Sequence, residues 1–144
     1  MPKRNAMIDL VDIAPAFSRV LGKDFSPATV VANCRSQAFG NAVLVMTGSH
    51  FSLRFERDRG QVFIDAGSAT HGWHKLEYVL EFVNRSITQQ KLGEPPNSAT
   101  LATLLLQNWD KVASVFSDRK LLSQLRDFSA ERAADLLNRI FRTQ

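Results

Sequence analysis

The chain has 144 residues, 44% of them hydrophobic and 22% charged, which suits one globular domain spanning 1–144 and argues against disorder. Cys34 is the only cysteine, so an internal disulfide and a cysteine-based zinc site are excluded. The net charge of +4 is spread evenly, with eight basic and six acidic side chains in residues 1–66 and ten and eight in 67–144, and this interleaving favours a mixed solvated surface over a stripe that tracks phosphates.

No apolar run approaches the roughly 20 residues of a membrane-spanning helix. The basic start Met1–Asn5 runs into Asp9 and Asp12 instead of the apolar stretch of a secretory signal, so a cytoplasmic protein is expected. The spacing of Leu10, Ala14, Phe17 and Leu21 predicts a helix within Met7–Leu21 that stops at Gly22. Pro15 kinks it or moves its start to Asp12. Four strands follow, Ala28–Arg35, Ala42–Thr47, His50–Arg57 and Gln61–Ala66, each bounded by turn residues.

Gly48-Ser49 suits a two-residue hairpin with glycine at positive φ, which sets Met46 opposite Phe51, Leu44 opposite Leu53 and Ala42 opposite Phe55. At the turn containing Asp58, Arg59 and Gly60, an even loop matches Phe55 with Ile64 and Leu53 with Ala66, whereas an odd loop would set Leu53 against Asp65. A one-residue slip turns a whole strand over, so burial selects the even register. One face of the sheet is then Leu44, Met46, Phe51, Leu53, Phe55, Val62 and Ile64, the expected core side. The other carries Val43, Val45, Ser52, Arg54, Glu56, Phe63 and Asp65, with Arg54 between Val43 and Asp65.

After a loop at Gly67–Gly72 the period becomes helical. Leu76, Val79, Leu80 and Val83 form an apolar stripe, Lys75, Glu77 and Glu81 face away, and Trp73 anchors the helix start. Gly93–Asn97 breaks the chain. Ser98 is placed to cap a helix with the face Leu101, Leu104, Leu105, Trp109 and Val112. Ser117 and Ser129 read as caps of two more segments, one with Leu121, Leu122 and Leu125, the other with Leu136, Leu137 and Ile140. The expected fold is α+β: an antiparallel meander of three to four strands, an N-terminal helix and a C-terminal group of three to four helices.

The chain has no Gly-rich phosphate loop, no His-Glu-x-x-His pattern and no Gly-x-Ser-x-Gly elbow. His71 and His74, with Asp65 nearby in sequence, fall short of a metal-ligand set and read as polar residues flanking a buried Trp. Cys34 lies in an alternating strand, where cysteine packs as a small hydrophobe. Asp9 with Asp12, and Glu77 with Glu81, read as solvated helix faces. No catalytic residue, cofactor or metal is expected. Arg132, Arg139 and Arg142 share one face of the last helix, but Asp127, Glu131 and Asp135 interleave with them, which weighs against nucleic-acid binding.

The run Phe39-Gly40-Asn41-Ala42-Val43-Leu44-Val45-Met46, then Leu53 to Asp65 through the turn Arg57-Asp58-Arg59-Gly60, then Trp73, Leu76, Glu77 and Val79-Leu80-Glu81, resembles small bacterial immunity proteins of polymorphic-toxin and contact-dependent growth inhibition systems. The similarity covers residues 39–84. It implies a protein that binds the C-terminal domain of a cognate toxin and blocks its active site or its substrate access. Immunity proteins against nucleases are often acidic; this chain is basic, which points to an acidic toxin surface or to occlusion away from a phosphate site. The alternatives are a secretion chaperone or adaptor, which would need an exposed hydrophobic dimer face, and a small basic nucleic-acid-binding protein. For a protein partner, the candidate contact residues are Arg54, Glu56, Arg57, Arg59 and Phe63, an Arg–aromatic combination with polar surroundings at the hairpin tip and second sheet face. The competing expectation is that Phe63 is covered by the N-terminal segment or a helix and that the charges keep an open sheet soluble.

Overall fold

The computed structural model describes residues 30–33, 42–58, 61–68, 70–88, 92 and 97–142. The expected helix at Met7–Leu21, the pairs at Asp9/Asp12, and Cys34 lie outside the described residues. Five strands, β1 (Val30–Asn33), β2 (Ala42–Thr47), β3 (Ser52–Asp58), β4 (Gln61–Ser68) and β5 (Gly72–Lys75), form one antiparallel sheet in the order of the chain. Among the described residues four full helices follow: α1 (Leu76–Val83), α2 (Ser98–Gln107), α3 (Trp109–Ser117) and α4 (Arg119–Arg142). The class is α+β. Among the described residues, no helix is long and apolar enough to cross a membrane.

The β3–β4 register is the even one, with Phe55 opposite Ile64, Leu53 opposite Ala66 and Arg54 opposite Asp65. The β2–β3 register differs by two residues from the expected hairpin. Met46 faces Leu53, Leu44 faces Phe55 and Ala42 faces Arg57, and Arg54 lies between Val45 and Asp65 instead of Val43 and Asp65. Four residues, 48–51, make the turn, closed by the Gly48 amide donating to the Phe51 carbonyl at 3.0 Å. Among the described residues, the glycines at positive φ are Gly67 and Gly72 and not Gly48. A shift of two preserves the strand faces. It also releases Phe51 from the ladder and lets its ring enter the helical layer, 5.2 Å from Trp109 and 5.4 Å from Phe116 between centroids. Contacts of this kind are worth more than the turn propensity of Gly-Ser.

The meander exceeds the expected three to four strands because Gly72-Trp73-His74-Lys75 pairs with β4 and does not remain a loop. Gly67 makes that pairing possible: a Cβ there would collide with the carbonyl oxygen of Gly72 across the strand pair. Trp73 sits opposite Gly67 and covers the position where a side chain is missing.

The helices cover one sheet face. Met46, Phe51, Leu53, Phe55, Ile64 and Ala66 join Leu76, Val79, Leu80, Leu101, Leu105, Val112, Leu122 and Leu125 in one buried cluster, with Val62 packed against it. The apolar run from Leu101 to Val112 is two helices and not one. At Asn108 the side chain donates to the Leu104 carbonyl at 2.8 Å and its own backbone leaves helical geometry, which turns Trp109 toward Phe51. Asn97, not Ser98, caps α2, accepting from the amides of Ala99 at 2.8 Å and Thr100 at 3.4 Å. The expected caps at Ser117 and Ser129 are absent. Asp118 accepts from the Lys120 amide at 2.9 Å, and Arg119–Arg142, which contains no glycine or proline, is one helix of 24 residues. Ser129 lies inside it.

Because Phe51 wedges the β2–β3 turn into the helical layer, Phe51→Ala is expected to lower unfolding free energy by about 3 kcal/mol. The exposed neighbour His50→Ala is expected to stay within about 0.5 kcal/mol. Urea denaturation of the two variants measures both; equal, small losses would contradict the wedge.

Candidate functional site

The sheet face away from the helices carries the most organised polar cluster. Alternation along β3 sends Ser52, Arg54 and Glu56 to this side, and pairing adds Phe63 and Asp65 from β4 and Trp73 and Lys75 from β5. Arg54 Nη2 donates to Asp65 Oδ2 at 2.8 Å and Nε donates to the same oxygen at 3.2 Å. The guanidinium also lies 4.8 Å from the centre of the Trp73 ring. Reaching Trp73 requires Arg54 to cross β4, and the bare position at Gly67 leaves that path open. An arginine held by a carboxylate and an indole has few rotamers left to lose when a partner binds. Asp65 is buried whereas Arg54 is half-buried, so the cation is the part of the pair presented outward.

Glu56 is half-buried between Val43 and Phe63 in register, and Phe63 is 39% exposed on the face away from the described helices; the N-terminal segment expected as its other cover lies outside the described residues. Arg54, Glu56 and Phe63 therefore share one face. Arg57 does not belong with them: it stands opposite Ala42 and Val62, on the same side of the pleat as Phe55. Arg59 lies outside the described residues. Trp73 and Asp65 complete the cluster and were not among the candidate contacts. The period-two pattern of Trp73-His74-Lys75 was the available signal, masked by the glycines on either side of the turn.

The two histidines diverge. His71 is exposed on the β4–β5 turn, its amide donating to Ser68 Oγ at 2.9 Å and its carbonyl accepting from Arg126 at 3.3 Å. His74 alternates to the core side, under α4, where Nδ1 meets Ser129 Oγ at 3.0 Å. That is a nucleophile–base distance, yet Nε2 is enclosed with no hydrogen-bond partner, so no carboxylate orients the ring. Among the described residues, no three His, Cys, Asp or Glu side chains are grouped to hold a metal ion.

The expected solvated pair Glu77/Glu81 is not solvated. Glu81 is buried against α4, accepting from Arg132 Nη2 at 2.7 Å and Nε at 3.3 Å. Arg132 also stacks 4.8 Å from the Phe128 ring and bonds Asp135 at 3.3 Å. These hydrogen bonds, that to Glu81 first, raise its pKa. This ties Arg132 to the fold. Arg132, Arg139 and Arg142 nevertheless line one open groove of about 430 Å³, together with Glu81, Thr88, Asp135 and Asn138. Glu77 is half-buried, and burial raises its carboxyl above its ordinary value.

Burial first, and then the Arg126 charge, lower the pKa of His74 below its ordinary 6.5, against the opposing pull of Asp65. The unfolded chain takes up this proton near 6.5 and the folded chain resists it, so stability falls as pH drops through 6.5, by no more than about 1.4 kcal/mol per pH unit. The raised pKa of Glu77 contributes the opposite slope above 4.5. Unfolding measured between about pH 7.5 and 5.5 is expected to show a flatter profile in His74→Gln than in the wild type. Identical profiles would contradict the assignment.

Comparison with protein-family models, curated proteins and solved structures finds no match to this chain, so the function is read from the geometry above.

Proposed function

We propose that the chain is a non-catalytic, cytoplasmic immunity protein that neutralises the C-terminal domain of a cognate bacterial toxin by stoichiometric binding through its exposed sheet face. The observation that carries this reading is the Arg54–Asp65–Trp73 cluster beside the exposed ring of Phe63. Interface hot spots are rich in arginine and aromatic residues held in place before binding and ringed by polar groups. An outward cation on a chain of net charge +4 suits an acidic toxin surface and does not suit nucleic-acid mimicry.

A second reading, a secretion chaperone or adaptor, is favoured by one feature: Leu137, Ile140 and Phe141 are exposed on α4, an apolar patch of the kind such proteins use to pair. The two readings place the partner on different surfaces.

The test is co-expression and co-purification with the product of the gene immediately upstream, followed by titration of the pair. Combining Phe63→Ala with Lys75→Glu is expected to leave the melting temperature within about 2 °C, because both side chains reach solvent. It is expected to weaken toxin binding about 10-fold or more. Arg57→Glu, on the other side of the pleat, is expected to change affinity less than about twofold. Unchanged affinity in the Phe63/Lys75 variant would reject this face as the interface.

A further inference from the structure

The last buried side chain on α4 is Phe128, and the helix continues to Arg142, about 21 Å further. Arg132 and half-buried Leu136 prolong the docked side over part of that length. A second apolar stripe runs along this extension: Ala130, Ala133, Ala134, Leu137 and Phe141 recur at helical spacing, all exposed, with Ile140 at their edge. At roughly 100° per residue the centre of the stripe is about 135° round the helix from Leu125 and about 165° from Phe128. It is therefore a separate face, not a frayed margin of the core.

The stripe is polar in two senses. Its N-terminal part is small (Ala130, Ala133, Ala134) and its C-terminal part is large (Leu137, Phe141). One flank carries Glu131 near the N-terminal end and Arg142 at the C-terminal end, both exposed, and neither has an ion-pair partner among the described residues. A surface that is small and acidic at one end, large and basic at the other, is complementary to itself turned end for end.

We propose that the occupant of this face is a second copy of the chain, joined through an antiparallel α4–α4 contact centred near residues 135–136. That register seats Phe141 and Leu137 of one copy on Ala130 and Ala134 of the other, and brings Arg142 against Glu131 at both ends. Each contact occurs twice, as twofold symmetry requires. A parallel arrangement would oppose large to large and like charge to like charge. A contact made by one helix from each copy is smaller than a standard interface of roughly 800 Å² per partner, so the dimer is weak and concentration-dependent. The contact rests on α4 alone and is independent of the toxin-binding face on the sheet.

Sedimentation equilibrium of the full chain between about 5 and 500 μM tests the proposal. A monomer–dimer equilibrium is expected, abolished by Leu137→Glu with an unchanged melting temperature. Glu131→Arg and Arg142→Glu are each expected to weaken the dimer about fivefold or more, and the double variant to restore it to within about twofold of the wild type. A chain that stays monomeric throughout, because the stripe is covered by its own residues 1–29 or awaits a foreign partner, would overturn the proposal. A dimer indifferent to Leu137→Glu, or a double variant that fails to restore association, would overturn it equally.

Discussion

The pleat of β3 is the constraint on which both surfaces of the protein depend. Leu53 and Phe55 point into the helical layer while Arg54 and Glu56 point out, and the neighbouring strands must respect that alternation. A slip of one residue against β4 would put Arg54 and Glu56 among Leu80, Leu105 and Val112 and expose Leu53 and Phe55. Burying an arginine and a glutamate in that apolar layer would cost several kcal/mol, so the register has little freedom to drift. The Arg54–Asp65 ion pair adds to this by rewarding the same pairing on the outer side.

How the helices sit on the sheet is decided by a few polar contacts inside an otherwise apolar layer. His74 meets Ser129, Glu81 meets Arg132, and Asn84 meets Asn108, each joining elements distant in the chain. Leucine contacts alone tolerate sliding, because one apolar neighbour substitutes for another. A buried carboxylate does not, since a displaced Arg132 would leave Glu81 without its counter-ion. Phe128, flanked by Phe82, Arg85 and Arg132, is the last buried side chain of α4, and the roughly four helical turns beyond it carry the second stripe outward.

The β3–β4 register was legible because Phe55, Ile64, Leu53 and Ala66 permit only one apolar match. The β2–β3 turn was not, because both the two-residue and the four-residue turn keep the same faces. The choice depends on Trp109 and Phe116, more than fifty residues away. β5 was missed for a local reason: a four-residue strand that itself opens on Gly72 carries too short a pattern to outweigh a turn signal. The helix boundaries moved for reasons of competition among small polar residues. Asn97 and Asp118 took the capping roles assigned to Ser98 and Ser117, and Ser129 was drawn to His74. Of the candidate contact residues, Arg54, Glu56 and Phe63 follow from parity along the strands, and the same parity, applied to Arg57, places it on the other side. Trp73 could join them only once β5 was known to be a strand.

The central claim is that the face bearing Arg54, Phe63 and Trp73 is the recognition surface, and the helical layer its support. The most direct measurement is a titration of the isotope-labelled chain with the toxin domain proposed as its partner, following backbone amide resonances and the Trp73 indole N–H. The largest changes are expected at Arg54, Glu56, Phe63 and the Trp73 indole, with the resonances of α2 and α3 nearly still. Saturable binding that moves α2, α3 or the end of α4 and leaves those four groups unchanged would contradict it.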